Sequence, residues 1–186
     1  MTTTTKDGWI VTASDVQFEL FSPAPVMVRI VDIAHALANL CRFNGHTQDF
    51  YSVAQHSVIV SRNVPDHLAL AALLHDASEA YLGDMVRPLK RSMPAYREAE
   101  ANVERVIEEA FGLALTDEDR AIIKFADERA LMTERRDLLR PSSHRWNLID
   151  RNAKPFIDEI EPQGPREARA AFLDRFARLM SAAAKQ

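Results

Sequence analysis

The sequence predicts an all-α protein, a helical bundle preceded by a small N-terminal β-hairpin. The hydrophobic fraction of the 186 residues is 47% and there are only five glycines, as in a largely helical protein with a substantial core. Several long stretches repeat apolar residues at helical spacing, whereas one short stretch near the start alternates instead. No repeat or linker divides the chain, so we expect one domain over residues 1–186 with its core in 28–140.

The hairpin is predicted over residues 9–21, where apolar and polar side chains alternate loosely. Trp9 opens the first strand, a turn follows at 14–15, and Phe18 lies in the second strand. Residues 1–7 are polar and without periodicity, so we expect them to be disordered.

Helical periodicity and boundary signals predict the remaining elements. Ser52 and Gln55 have the spacing of a capping box, and Thr116 and Asp119 form a second N-cap signature. Asp127 is four residues after one isoleucine and three before an alanine of the buried stripe, so it is predicted to be on the buried face of its helix. The predicted helices are 28–40, 52–63, 65–82, 95–111, 116–139 and a C-terminal helix at 165–184.

Charge and composition exclude several classes of partner. The formal net charge is −4, which argues against binding of nucleic acid polymers through a basic face. No apolar run approaches the roughly 20 residues that span a bilayer, and the single cysteine permits no internal disulfide. We therefore expect a cytoplasmic protein without membrane contact. Arg87, Lys90 and Arg91 form a local cationic cluster, which is either a site for a small anion or a solvated surface.

A histidine and an aspartate stand together in the apolar run of residues 68–82. Burying either charge without a partner would cost several kcal/mol, and a metal cation would satisfy both His75 and Asp76. Glu79 follows four and three residues later, which on a helix places its carboxylate on the same side, one turn along. This stretch therefore predicts two metal ligands and a neighbouring acid or base.

Two other predicted helices offer polar residues where apolar ones are expected, namely His56 and Asp127. A helical bundle could bring them to His75 and Asp76, giving two imidazoles and two carboxylates around one divalent metal, with Zn²⁺, Mn²⁺, Fe²⁺ and Co²⁺ all suited to such ligands. Each residue alone has a simpler explanation. His56 could be half exposed, and Asp127 could be buried against Arg129 or an arginine from elsewhere.

The sequence resembles the HD superfamily of metal-dependent phosphohydrolases, which is named for the His-Asp pair. Residues 51–57 (Tyr-Ser-Val-Ala-Gln-His-Ser) resemble its first-histidine motif, and residues 75–84 resemble the second motif with its trailing Gly-Asp. The resemblance covers roughly residues 30–139 and is strongest to bacterial 5′-deoxynucleotidases and phage dATP triphosphohydrolases. It implies an HD-domain helical bundle.

The resemblance implies a role for each matching residue. The metal ligands would be His56, His75, Asp76 and Asp127, and the ion would be one divalent transition metal (Zn, Mn, Fe or Co) or Mg²⁺. Glu79 would orient or deprotonate the attacking water, Asp84 would lie near the sugar and the water, and Lys90 near the phosphate. Arg42 matches a phosphate-binding arginine. Phe43 follows it where several relatives have tryptophan, so the aromatic surface remains.

The implied activity is hydrolysis of a phosphoester or phosphoanhydride of a nucleotide, most simply a deoxynucleotide. A 5′-deoxynucleotidase and a triphosphohydrolase both fit the motifs. A nucleotide-binding module that has kept the scaffold without turnover is a third reading, and a purely structural helical protein is a fourth. Relatives are often oligomeric, so the resemblance also favours a homo-oligomer.

Overall fold

Helices account for most of the chain, as the sequence predicts. The computed structural model describes residues 8–144, 146 and 152–183. The predicted disorder of residues 1–7 and the last residue of the predicted helix 165–184 lie outside the described residues. In the part of the chain described, no helix combines the length and the apolar character needed to cross a membrane.

The predicted hairpin forms at the N-terminal end of the described chain. Strands β1 (Trp9–Val11) and β2 (Gln17–Glu19) pair antiparallel, with Ile10 opposite Phe18. Phe18 is fully buried and stacks on the ring of Tyr81 with the centroids 3.7 Å apart. The hairpin therefore covers one side of the helical bundle instead of standing free.

Within the described residues, eight α-helices follow the hairpin, and most of their bounds agree with the predicted ones to within two residues. Short 3₁₀ turns at Pro25–Met27, Arg42–Gly45 and Asp66–Leu68 precede three of them. The helices are α1 (Ile30–Asn39), α2 (Val53–Arg62), α3 (Ala69–Leu73), α4 (Glu79–Leu82), α5 (Arg87–Arg91), α6 (Pro94–Ala110), α7 (Asp117–Asp137) and α8 (Pro165–Ala183).

The prediction of one continuous helix over 65–82 is wrong. It is divided into the 3₁₀ turn, α3 and α4, and residues 74–78 between α3 and α4 form tight turns closed by i to i−3 hydrogen bonds, such as Ala77 N to Leu74 O at 3.0 Å. The His75 side chain donates to the Ala72 carbonyl at 2.8 Å and so satisfies an acceptor at the end of α3. Apolar periodicity could not reveal this break, because 3₁₀ turns and α-helices differ little over five residues.

Both predicted N-caps form, but only one is a full capping box. Thr116 and Asp119 exchange hydrogen bonds reciprocally at the start of α7. At α2, Ser52 Oγ accepts from the backbone N–H of Gln55 at 3.2 Å. The Gln55 side chain does not return to the cap. It binds the backbone of residues 161–163 instead and so ties the segment before α8 to α2.

The core lies where α1, α2 and α8 pack together and continues beneath the tight turns that follow α3. Ile33, Leu37, Leu73 and Phe172 are fully buried members of its larger cluster. A smaller cluster joins α2 and α3 to α7. Packing on both sides fixes α2 and the turns after α3, which carry three of the predicted ligands, His56, His75 and Asp76.

Candidate active site

His56 lies at the centre of the candidate site and is fully buried, so the alternative of a half-exposed histidine is excluded. It follows the Ser52 cap by one helical turn on α2, and its Nε2 atom faces three other predicted ligands. The Nε2 distances are 3.3 Å to His75 Nε2, 3.3 Å to Asp127 Oδ1 and 3.6 Å to Asp76 Oδ2. The structure therefore brings together residues from three separate segments.

His75 and Asp76 project from the tight turns between α3 and α4. A carbonyl can only accept, so the bond to Ala72 O requires His75 to carry a proton on Nδ1, which leaves Nε2 free in the neutral ring. That Nε2 is 3.2 Å from Asp76 Oδ2. His56, His75 and Asp76 each offer one ligand atom, and the three atoms lie within 4.8 Å of one another. This group could hold a metal ion.

Asp127 lies at the edge of that group on α7 and contacts His56. Its other oxygen pairs with the ammonium of Lys124 and lies 3.7 Å from Arg87 Nη2. Arg129, the alternative partner, instead donates to the carbonyl of Lys154. Arg87 is therefore the arginine from elsewhere, and one member of the predicted cationic cluster faces the site.

The electrostatics of the cluster suit a cation. Burial alone would raise the pKa values of Asp76 and Asp127, but His75 lowers the pKa of Asp76 well below its usual range, and the hydrogen bond from His56 does the same for Asp127. Against burial and the charge of Arg42, the Glu134 carboxylate raises the pKa of His56 to about 9. Ionised carboxylates beside imidazole nitrogens are ligands that divalent transition metals accept, so the residues fit a metal.

Glu79 is the first residue of α4 and is about 9% exposed. Among the described residues, its buried Oε2 has no hydrogen-bond partner. Burial, followed by the charges of Asp76 and Asp84, raises the pKa of Glu79 well above its usual value. The i, i+3 positions of Asp76 and Glu79 lie nearly above each other in a 3₁₀ turn, which explains their interaction.

Arg42 reaches the cluster from the loop between α1 and α2. Its Nη1 atom is 3.5 Å from Asp76 Oδ2, and its backbone N–H donates to Tyr51 O at 2.9 Å. Phe43 and Asn44, the next two residues, have positive φ angles of 53° and 50°, a conformation that costs energy in non-glycine residues. The ring of Phe43 lies against the guanidinium, 5.6 Å from centroid to Cζ.

Lys90 lies on α5, and Asp84 lies in the connection between α4 and α5. The ammonium of Lys90 pairs with the buried Glu100 of α6. Asp84 is partly buried, and burial raises its pKa. Arg91 is exposed, so the predicted cationic cluster does not act as one unit: Arg87 faces Asp127, Lys90 faces α6 and Arg91 faces solvent.

Glu134 is a site residue that the sequence reasoning missed. It is fully buried on α7, and its carboxylate receives three contacts: His56 Nδ1 at 2.6 Å, Tyr51 Oη at 3.0 Å and Arg42 Nη2 at 3.1 Å. A signal existed, because Glu134 follows Asp127 by seven residues, and two helical turns return to the same face. A carboxylate at that spacing on a buried face indicates a partner of the site.

A cleft of about 270 Å³ opens beside the cluster, between α6, α7 and the tight turns. His75, Asp76 and Asp127 are among its lining residues. The walls are apolar, with Leu74, Ile107, Leu113, Leu115 and Ile123. Ala71, Ser78 and the charged residues Glu104, Glu108, Arg120 and Lys124 complete the lining. The cleft therefore combines apolar walls with charged groups, as sites for small polar ligands commonly do.

Comparison with known proteins finds one matching family model and similar bacterial proteins. The family model described as 5′-deoxynucleotidase YfbR-like matches residues 29–126. The chain is similar to the uncharacterized protein YfdR of Escherichia coli strain K12, with 42% identity over 147 residues, which are 79% of this chain and 82% of the relative. It is also similar to an uncharacterized protein of Rhodobacter capsulatus, with 34% identity over 185 residues, covering 91% of this chain and 94% of that protein.

Proposed function

The chain belongs to the YfbR-like 5′-deoxynucleotidase family, and from this premise we propose that it is a metal-dependent phosphohydrolase that releases phosphate from a deoxynucleoside 5′-monophosphate. One observation carries the proposal. Ligand atoms of His56, His75 and Asp76 meet within 4.8 Å, beside the buried carboxylate of Glu79. Buried groups of this kind are costly unless they share a ligand or a reaction.

One divalent ion, of Zn, Mn, Fe, Co or Mg, would be held by His56, His75, Asp76 and Asp127. When bound, such an ion lowers the pKa of water and polarises a phosphoryl oxygen. The protein contributes the geometry: His75 is oriented by Ala72 O, and His56 is fixed from its far side by Glu134. Both imidazoles therefore present Nε2 to the same point.

The remaining residues would handle the proton and the phosphate charge. Glu79 would be the proton acceptor for the attacking water, because its buried Oε2 has no hydrogen-bond partner among the described residues and the side chain follows Asp76 by one turn. Arg42 lies 3.5 Å from Asp76, where its guanidinium would offset charge developing on the phosphoryl oxygens. Lys90 would add a second positive charge, and Asp84 would contact the sugar.

The substrate itself would extend from the cluster into two neighbouring surfaces. The cleft between α6 and α7 has apolar side chains in its lining that suit a nucleoside, and His75 and Asp76 belong to the same lining. Phe43 presents its ring beside Arg42, where it would contact the substrate near the phosphate. A monophosphate would need only one phosphate position at the cluster. The family description, 5′-deoxynucleotidase, also favours a monophosphate as the substrate.

A nucleotide panel tests the proposal. The protein is stripped of metal and then loaded separately with Mn²⁺, Co²⁺, Zn²⁺ and Mg²⁺. Phosphate release is measured with deoxynucleoside and ribonucleoside mono- and triphosphates, and metal content is measured in parallel. We expect one equivalent of metal, release from deoxynucleoside monophosphates, and loss of both in His75→Ala. Hydrolysis of triphosphates alone would indicate a triphosphohydrolase, and metal-dependent nucleotide binding without any turnover would indicate a binding module.

A further inference from the structure

Glu134 connects two parts of the site that otherwise have separate roles. One of its oxygens contacts His56 Nδ1 and Tyr51 Oη, and the other contacts Arg42 Nη2. The side chain is completely buried, so these three contacts account for its charge without help from solvent. A carboxylate in this position is costly to retain unless its partners need it.

The contact with His56 determines which ring nitrogen is available for a ligand. Because Glu134 accepts at 2.6 Å, the neutral imidazole carries its proton on Nδ1, and Nε2 is left to face His75, Asp76 and Asp127. A carboxylate behind a metal-binding histidine also makes the ring a better donor and fixes its rotation.

The contact with Arg42 determines where its guanidinium lies. Nη2 is held by Glu134 and Nη1 is held by Asp76, so the planar group bridges a buried acid and a predicted metal ligand. The backbone of Arg42 is fixed as well, through its bond to Tyr51 O. The same carboxylate therefore orients the group expected to bind metal and the group expected to bind phosphate.

We propose that Glu134 is a positioning residue that couples the two binding events, so that occupation of the metal site by a divalent ion strengthens phosphate binding at Arg42 and the reverse. The proposal rests on the proposed function, because it assigns metal to His56 and phosphate to Arg42. Linkage requires the coupling to be reciprocal, with each ligand raising the affinity of the other by the same factor.

The test uses Mn²⁺ and inorganic phosphate as probes, so no turnover is needed. Calorimetry gives the Mn²⁺ dissociation constant with and without phosphate, in the wild-type protein and in Glu134→Gln. We expect Glu134→Gln to weaken Mn²⁺ binding about 10- to 100-fold and to abolish the mutual enhancement. Tyr51→Phe removes one donor to the same carboxylate but keeps its charge, and should change Mn²⁺ affinity less than about threefold.

A measurement on the wild-type protein tests the proposal even if the Glu134→Gln variant does not fold. In ¹⁵N-histidine spectra of the Mg²⁺-loaded protein, His56 should carry its proton on Nδ1, and a proton on Nε2 would overturn the proposal. Unchanged Mn²⁺ affinity in folded Glu134→Gln would also overturn it while leaving the proposed function intact. Conversely, coupled binding in a protein that hydrolyses no nucleotide would remove the proposed function and keep the coupling.

Discussion

At the scale of single residues, each imidazole of the site has a hydrogen-bond acceptor at one ring nitrogen and directs the other nitrogen towards the ligand cluster. His56 and His75 both use Nδ1 for a fixed acceptor, Glu134 and the Ala72 carbonyl respectively. Both Nε2 atoms are thereby directed to the same point, only 3.3 Å apart. With a pKa of about 9, His56 holds a proton on Nε2 near neutral pH unless a cation displaces it. Once both rings are neutral, their Nε2 atoms cannot hydrogen-bond each other and are available to one shared cation.

Glu79→Gln is expected to lower kcat about 10²- to 10⁴-fold, because the amide keeps the shape of the side chain but cannot accept the proton of the attacking water. Metal content should be unchanged, since Glu79 contributes no atom to the group of three ligands. Steady-state kinetics with a deoxynucleoside monophosphate, combined with elemental analysis, measures both quantities. Glu98→Gln, at an exposed position of α6, is the matched control. Full activity in Glu79→Gln would remove this residue from the mechanism.

At the scale of elements, the glycine turn that ends α4 sets the direction of the chain at the end of the second motif, residues 75–84. Gly83 ends α4 with φ +81° and ψ 157°, a conformation that is essentially restricted to glycine. Asp84 is the next residue, so its position depends on this turn. The Gly83 carbonyl accepts a hydrogen bond from Tyr96 of α6 at 2.8 Å, which holds the turn in place. The chain direction after α4 thus depends on one backbone position.

Gly83→Ala should therefore lower the free energy of unfolding by about 1–3 kcal/mol, through backbone strain alone. Apart from the residues adjacent in the chain, no described residue has an atom within 4 Å of where the new Cβ would be, so a steric clash does not contribute. Denaturant unfolding followed by circular dichroism measures the change. In the comparison variant Gly164→Ala, φ is not positive, and we expect a loss below about 1 kcal/mol. Equal losses in the two variants would contradict the assignment of strain to Gly83.

The sequence predicted the elements better than it predicted their interruptions and long-range contacts. Helical periodicity is visible over ten or more residues, so α1, α2, α6, α7 and α8 were all recognised. A five-residue turn inside an apolar run leaves no such signature, and the break at 74–78 was missed. Gln55 fitted a local capping box, but its side chain bonds to residues more than 100 positions away, and no local rule contains that information.

The candidate site divides along the same line. The sequence predicts that His56, His75 and Asp76 meet, because each is a polar residue where the helical pattern calls for an apolar one. In the structure their ligand atoms lie within 4.8 Å of one another. Glu134 was missed although it has the same property, since no motif drew attention to it. Lys90 was placed by resemblance near the phosphate, and its ammonium is paired with Glu100, a contact that only the packing of α5 on α6 creates.

At the scale of the whole molecule, the segment that supports the site extends beyond the residues that match the family model. The match ends at residue 126, whereas α8 begins at Pro165 and packs against both α1 and α2. Phe172 and Ala168 of α8 are completely buried in the main core. Arg175 adds two hydrogen bonds to Ser61 near the end of α2. The C-terminal helix α8 therefore packs against α2, the helix that carries His56, and is hydrogen-bonded to it.

Phe172→Ala is consequently expected to destabilise the whole protein by about 3–5 kcal/mol, because it leaves a cavity in the main core where α1, α2 and α8 meet. At roughly 2–4 °C per kcal/mol for a chain of this size, Tm should fall by about 6–20 °C in calorimetry. Phe125→Ala removes the same ring from α7, where it is 43% exposed, and should lower Tm by less than about 4 °C. If the matched region folded independently of α8, Phe172→Ala would instead show a separate low-temperature transition, and the main transition would stay at its wild-type temperature. A single cooperative transition displaced in Phe172→Ala alone would establish that α8 and the helices that carry the candidate site unfold as one unit.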